Sequence, residues 1–177
     1  MNTILTPGPV PGRRAVTGPD SVYTPEQRRR RDESRWTLVQ GVLAPLQFLV
    51  FLVSLGLVWR FLATGEGAQA ATVSVIVKTL VLYLIMVTGA IWERDVFGQF
   101  LFAKPFFWED VVSMLVMALH TTYVLAVVYG WFGIEGQMYL ALAAYGAYVL
   151  NAAQFLIKFR MARRSATPPA AALEVRA

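Results

Sequence analysis

The 177-residue chain has no cysteine and only one histidine, His120. The absence of cysteine excludes disulfides, thiol catalysis, iron–sulfur clusters and cysteine-based zinc sites. A single histidine excludes a bis-histidine haem or a multi-histidine metal site within one chain. The sequence also has no glycine-rich phosphate loop and no Gly-x-Ser-x-Gly motif. These absences leave neither a phosphate-loop nucleotide site nor a hydrolase nucleophile motif.

Charge is also scarce, since charged residues make up 15% of the chain and hydrophobic residues 56%. That balance is too apolar for an ordinary soluble domain. About 20 residues cross a bilayer core as a helix, and a helix satisfies its own backbone groups in lipid. The sequence therefore predicts an all-α, integral membrane four-helix bundle. It has four apolar blocks of 21 to 23 residues, at 37–59, 72–92, 111–132 and 137–157.

The predicted domain organisation has three parts: a disordered tail over 1–22, a transmembrane domain over 23–163 and a flexible tail over 164–177. Glycines in the left-handed conformation commonly end helices, so the expected helix stops are Gly65, Gly98 and either Gly130 or Gly133. The four membrane helices are expected at about 37–63, 72–97, 106–131 and 136–162.

A short basic helix is predicted over 24–35, before the first membrane helix. Thr24 and Gln27 have the spacing of a capping box, and Pro25 fits the first helical position. The arginines that follow suit a helix lying on an anionic leaflet. The alternative is a charge cluster that only sets the orientation of the protein.

The basic residues predict the orientation. Fourteen of the sixteen lie before the first apolar block, between the second and third, or after the fourth. By the positive-inside rule, both termini and the 93–110 connection should face the cytoplasm. The net charge of +5 is therefore a signal of membrane topology and not a nucleic-acid footprint.

Each apolar block carries one polar stripe at helical spacing. Polar side chains in lipid should face the bundle interior, so the stripes predict a cavity with hydrogen-bonding groups at mid-depth. The alternative for the amides is that they only join helices. In chain order the stripes are Gln40, Ala44, Gln47 and Ser54; Thr79, Met86, Gly89 and Glu93; Glu109, Ser113, His120 and Tyr123; and Ala144, Ala147, Asn151, Gln154 and Lys158.

Two ionisable side chains lie within the apolar blocks. His120 is at mid-depth, where it either serves function or joins two helices. Lys78 lies near the far end of the second membrane helix, and we expect it to snorkel outward.

The connection from Trp92 to Asp110 holds acidic side chains among aromatic rings at a predicted membrane edge. Such groups indicate proton transfer to a flat, apolar ligand, for example the addition of water to an activated double bond. Alternatively, Glu109 and Asp110 complement the helix dipole, and Glu93 pairs with Arg94. A proton-coupled transporter is disfavoured, because no acidic residue lies in the middle of a predicted span.

Three long segments resemble the vinyl bacteriochlorophyllide hydratase family of bacteriochlorophyll biosynthesis. They are YTPEQRRRRDESRWTLVQGVLAPLQFLVF, VKTLVLYLIMVTGAIWERDVFGQFLFAKPFFWEDVVSMLVMALHT and YVLNAAQFLIKFR. The resemblance covers about residues 22–162. It implies hydration of the C3 vinyl group of chlorophyllide a or a bacteriochlorophyllide to a 1-hydroxyethyl group, with no cofactor. It also implies a multi-pass protein of the bacterial inner, photosynthetic membrane.

Site roles follow from that chemistry and not from the family. Glu93 and Glu109 are the predicted acid/base pair, with Asp110 as the substitute. His120 is predicted to ligate the magnesium of the substrate or to orient water with Asn151; no intrinsic metal is expected. Further substrate contacts are expected from Gln47, Trp92, Arg94, Lys104, Phe107, Trp108, Ser113, Tyr123, Asn151, Gln154 and Lys158.

The competing hypothesis is a non-enzymatic tetrapyrrole carrier or assembly factor, which would not need the paired acids. The sequence leaves open the oligomeric state and whether other enzymes of the pathway dock on the basic face.

Overall fold

The computed structural model describes residues 22–164, and within them the only regular secondary structure is α-helix, as predicted. Four of the five helices in this range, α2 to α5, are long and apolar enough to cross a membrane. Most of the two predicted tails lies outside the described residues. The helices are α1 (Pro25–Glu33), α2 (Arg35–Thr64), α3 (Ala68–Phe97), α4 (Phe107–Tyr129) and α5 (Gly133–Arg164).

The helix ends follow the local sequence signals. The capping box of Thr24 and Gln27 is present at the start of α1. Gly65, Gly98 and Gly130 end α2, α3 and α4 in the left-handed conformation, as predicted. The membrane helices extend beyond the apolar blocks; α3, for example, begins at Ala68 because alanine and glutamine at its start favour helix.

The membrane helices are arranged as two antiparallel pairs, α2 with α3 and α4 with α5, and α2 also packs on α5. One apolar cluster fills the middle of the bundle. A second cluster joins the start of α1, the end of α3, the α3–α4 connection and the end of α5, through Tyr23, Trp92, Phe106 and Ala162. These segments therefore meet at one end of the bundle, called the loop end below.

The short helix α1 is attached to the loop end. Tyr23, just before it, is buried and stacks on Phe97 with ring centroids 5.8 Å apart. The Arg31 guanidinium lies 4.9 Å from the centre of the Tyr23 ring. Ser34, which follows α1, donates a hydrogen bond to the Asp95 carboxylate. Burial raises the pKa of Tyr23 to about 12, so this residue stays neutral at physiological pH.

Most of the predicted polar stripes face the bundle interior. The exposed fraction is at most 8% for each of the following side chains: Gln47, Ser54, Thr79, Glu93, Glu109, Ser113, His120, Tyr123 and Asn151. Gln154 is partly buried, and Ala44, at the edge of the first stripe, is exposed. Because polar groups in lipid gain from internal partners, the 3.6-residue period was enough to locate the inward faces.

Candidate active site

The carboxyl groups of Glu93 and Asp110 lie within hydrogen-bond reach of each other at the loop end. The end of α3 provides Glu93, and the first turn of α4 provides Asp110. The backbone N–H of Ala103 donates to Glu93 Oε2 at 3.2 Å, and that of Phe102 donates to Asp110 Oδ2 at 2.7 Å. A hydrogen bond between two carboxyl groups requires one shared proton, since two carboxylates at contact distance repel. This carboxyl pair can therefore act as a proton donor.

The geometry of the pair depends on the loop between α3 and α4. Phe102 has φ of 60°, in the left-handed region that is uncommon for a bulky residue, and this directs its N–H to Asp110. Gly98, with φ of 85°, begins the loop. Strained backbone held in this way is typical of functional sites.

Glu109 is oriented differently from its neighbour in sequence. Its Oε1 lies 3.2 Å from Lys158 Nζ of α5. The other oxygen, Oε2, is buried and has no hydrogen-bond partner among the described residues. Carboxyl oxygens accept hydrogen bonds, so Glu109 Oε2 is an unoccupied acceptor to which a water molecule could donate. The sequence predicted Glu93 with Glu109 as the pair; the close contact that the structure shows is between Glu93 and Asp110.

Polar groups continue from Glu109 into the bundle. Asn151 Nδ2 donates to Ser113 Oγ at 2.7 Å, which joins α5 to α4. Asn151 Oδ1 and Gln154 Oε1 are buried and have no partner in the described part of the chain. Gln47 is 2% exposed, and neither the oxygen nor the nitrogen of its side-chain amide has a partner among the described residues. Amides that only join helices would have partners on those helices, so these atoms indicate a site for water or a ligand.

His120 is fully buried in the middle of α4. Its Nδ1 lies 2.8 Å from the carbonyl oxygen of Val116. A carbonyl only accepts, so Nδ1 carries the proton, and in the neutral ring Nε2 has a free lone pair. Nε2 is buried without a partner among residues 22–164. An imidazole nitrogen in this state can ligate a metal ion of a bound molecule or accept a hydrogen bond from water.

Lys78 differs from its prediction. It was expected to snorkel outward, yet the residue is fully buried and its Nζ lies 3.9 Å from the centre of the Tyr148 ring. The reason is its position on the inward face of α3, since Ala71, Val75 and Leu82, which precede and follow it at helical spacing, are also buried. That spacing was visible in the sequence and would have identified Lys78 as an interior residue.

Two tyrosines of α5, not predicted as site residues, line the same region. Tyr145 lies beside both ionisable groups, with its ring centroid 6.0 Å from that of His120 and 5.8 Å from Lys78 Nζ. Its hydroxyl is 2.5 Å from Ser54 Oγ, which is also 2.7 Å from Ser74 Oγ.

We call the inward groups Gln154, Asn151, Gln47, His120 and Lys78 the interior column.

The aromatic residues predicted to stack on a ligand do not share one surface. Trp92 is buried at 7% exposure, and its Nε1 donates to Thr37 Oγ1 at 3.0 Å. Trp108 and Phe107 are 68% and 43% exposed. Trp92 therefore packs inside the loop end, whereas the other two face the surroundings of the bundle.

The predicted basic contacts are also separated. Lys158 contacts Glu109, as described above. Arg94 is exposed and lies 4.7 Å from the centre of the Phe100 ring, and Lys104 is exposed in the loop. Tyr123 is fully buried on the inward face of α4. Within the described range, no group of three or more His, Asp or Glu could hold a metal ion.

Known proteins resemble this chain over nearly the whole of its described part. A family model described as 2-vinyl bacteriochlorophyllide hydratase (BCHF) matches residues 23–161. A curated 2-vinyl bacteriochlorophyllide hydratase of Cereibacter sphaeroides is 66% identical over 143 residues, which cover 80% of this chain and 88% of the relative. The chain belongs to the 2-vinyl bacteriochlorophyllide hydratase family.

A second curated relative supports the same assignment. The protein of that name from Rhodobacter capsulatus is 62% identical over 146 residues, which cover 82% of this chain and 85% of the relative. No solved structure matches the chain. The family resemblance and the prediction of a hydratase are therefore confirmed, and all the site residues described above lie within the matched segment.

The site contains groups that a hydratase needs. Two carboxyl groups within hydrogen-bond reach could share a proton, Glu109 has a buried oxygen without a partner, and the unpartnered amide atoms could bind water or a ligand. Acid–base groups of this kind typically contribute about a hundredfold to ten-thousandfold to rate.

Proposed function

We propose that this protein adds water to the C3 vinyl group of chlorophyllide a or a bacteriochlorophyllide and forms the 3-(1-hydroxyethyl) derivative. The C3 position of current macrocycle numbering is the position called 2 in the older numbering. The observation that carries the proposal is the interior column of buried, unpartnered polar groups that leads to three carboxyl groups at the loop end. The family supplies the identity of the planar ligand.

The pigment lies among α2 to α5 in this proposal. The lone pair of His120 Nε2 suits the fifth coordination position of the substrate magnesium. His120 is eleven residues beyond Glu109, or about 17 Å along α4. The vinyl edge of the macrocycle, turned toward the loop end, therefore meets the carboxyl groups through bound water, held by the free oxygens of Asn151 and Gln154.

The reaction has two proton transfers. The Glu93–Asp110 pair supplies a proton, relayed by this water, to the terminal vinyl carbon, and the cation formed at the adjacent carbon is delocalised into the macrocycle. Water attacks that carbon and loses a proton toward Glu109. Return of this proton from Glu109 to Asp110, its neighbour in the first turn of α4, restores the starting state. The net change is the addition of one water.

A direct assay tests the function. Purified protein is incubated with 3-vinyl chlorophyllide in water enriched in oxygen-18, with no other reagent. The expected product is heavier by one labelled water, and its long-wavelength band shifts as the vinyl group leaves conjugation. Tight pigment binding without product would contradict the proposal and support the alternative, a pigment carrier.

The loop end is proposed to face the cytoplasm of the bacterial inner membrane. This rests on the positive-inside rule, because the exposed arginines of α1, Arg94 in the last turn of α3 and Lys104 in the α3–α4 loop lie at this end. Reporter fusions after Arg164 and in the α2–α3 turn at Gly65 should report opposite sides of the membrane. The same side for both fusions, or a periplasmic C-terminus, would contradict this orientation.

A further inference from the structure

Lys78 places an amino group in the apolar middle of the bundle. The residue is fully buried, and Nζ has no hydrogen-bond partner among the described residues. Its surroundings are the aromatic faces of Tyr148 and Tyr145, at 3.9 and 5.8 Å from the ring centres. In either protonation state a lysine amino group carries N–H donors, and a ring face satisfies them poorly. The group therefore needs an oxygen acceptor that residues 22–164 do not provide.

The acidic side chains of the described residues are too distant or already engaged. Glu93 is fifteen residues further along α3, or about 22 Å. Glu109 and Asp110 lie at the loop end as well, with the contacts described above. Beyond the opposite end, Glu66 is exposed and pairs with Arg60 at 3.4 Å. An unpaired charge in a membrane is costly, so a buried lysine without a partner is a candidate ligand contact.

Three groups lie at successive depths along the bundle. Counted from the loop-end terminus of its own helix, Glu109 is at about 3 Å, His120 at about 20 Å and Lys78 at about 29 Å. The step along the bundle from His120 to Lys78 is about 9 Å, so the two side chains could contact different parts of one macrocycle. Tyr145 contacts both residues, which places them on the same interior surface.

We propose that Lys78 donates a hydrogen bond to the keto oxygen of the substrate's isocyclic ring and so sets which edge of the macrocycle faces the carboxyl groups. This inference rests on the proposed function. When the metal lies at His120 and the vinyl group faces the loop end, the edge across the macrocycle points to Lys78. That edge carries the keto oxygen, an acceptor that suits the unpartnered amine. Lys78 is thus a positioning residue, not a catalytic one.

The vibrational spectrum of the bound pigment tests this contact without turnover. In the wild-type protein the keto stretching band should lie at lower frequency than in an aprotic solvent, and Lys78→Met should return it to the free position. Arg60→Met, which removes an exposed cation at the opposite end of the bundle, is the control and should leave the band unchanged. An unshifted band in the wild-type protein would overturn the proposal.

Affinity provides a second measurement. Loss of the hydrogen bond should weaken pigment binding roughly tenfold to a hundredfold. A pigment whose keto group has been removed should bind the wild-type protein that much more weakly and should be insensitive to Lys78→Met. If the variant does not fold, the comparison of the two pigments on the wild-type protein still decides, and equal affinities overturn the contact.

The propionate carboxylate is another oxygen-bearing group of the rim, and a separate experiment tests whether Lys78 binds it. Methyl esterification of this group should change binding equally in the wild type and in Lys78→Met. If esterification weakens only wild-type binding, Lys78 holds the carboxylate and the keto assignment is wrong. Binding with the expected band shift but no hydration would instead refute the proposed function and leave the Lys78 contact intact.

Discussion

The loop end and the interior column both contain buried polar side chains, but they differ in whether these side chains have hydrogen-bond partners. At the loop end, Glu93 and Asp110 accept hydrogen bonds from the backbone of the connecting loop, and Trp92 donates to Thr37. In the column, Gln47 and His120 keep buried polar atoms without partners in the described part of the chain. Buried polar groups normally have partners, so the Glu93–Asp110 loop is held by hydrogen bonds within the protein, whereas we propose that a bound ligand supplies the missing partners in the column.

The largest expected effect is at the contact between the two regions. Glu109→Gln keeps the size of the side chain but removes the base, so kcat should fall by about a hundredfold to ten-thousandfold while pigment binding is retained. Hydration rates and pigment titrations on the same preparation measure both. Glu135→Gln, an exposed change at the other end of the bundle, is the control. Full activity of Glu109→Gln would remove this residue from the mechanism.

The carboxyl pair should show the next largest effect. In Glu93→Gln and in Asp110→Asn, an amide oxygen can still accept from the loop N–H groups, but the shared proton is lost. We expect each variant to lose about a hundredfold in kcat with a folded loop. Near-wild-type rates, together with reduced thermal stability, would show that the pair only holds the loop.

His120→Gln tests the column through binding. The variant should bind magnesium pigment more weakly, by about tenfold, because a metal ligand is lost. Its affinity for the same pigment without magnesium should be unchanged. Equal weakening for both pigments would show that His120 shapes the site without ligating the metal.

The smallest effect compares a partnered and an unpartnered residue directly. Ser54→Ala removes hydrogen bonds to Tyr145 and Ser74, and should lower the free energy of unfolding by about 1 kcal/mol. Gln47→Leu removes a buried amide without partners, so the pigment-free protein should be equally or more stable, although it should bind pigment more weakly. Thermal unfolding in detergent measures both, and a large loss of stability in Gln47→Leu would mean that the amide serves the fold.

The membrane helices and their inward faces were predictable, because apolar length and the 3.6-residue period act locally along the chain. The positions of Gln47, His120 and Asn151 followed from that period alone. The pairing of Glu93 with Asp110 did not, since it depends on the path of the loop and on the left-handed backbone of Phe102. The outward prediction for Lys78 was wrong because the residue lies on the inward face of α3, where its side chain packs on Tyr148.

The sequence also did not predict how α1 is attached to the bundle. Its basic composition predicted a helix on the membrane surface; Arg29 and Arg30 are exposed, whereas Arg28 and Arg31 are partly buried. The anchor is Tyr23, one residue before the cap, which packs on Phe97 and Phe106. The residues around Tyr23 in the sequence do not identify its packing partners, because these partners lie in α3 and in the α3–α4 connection.

We propose that the interior column is the pigment site. A structure of the protein with a bound 3-ethyl analogue, which cannot be hydrated, tests this most directly. We expect a macrocycle among α2 to α5, with its magnesium on His120 Nε2 and its ethyl group toward Glu109. A macrocycle bound outside the bundle, against the exposed rings of Phe107 and Trp108, would contradict it.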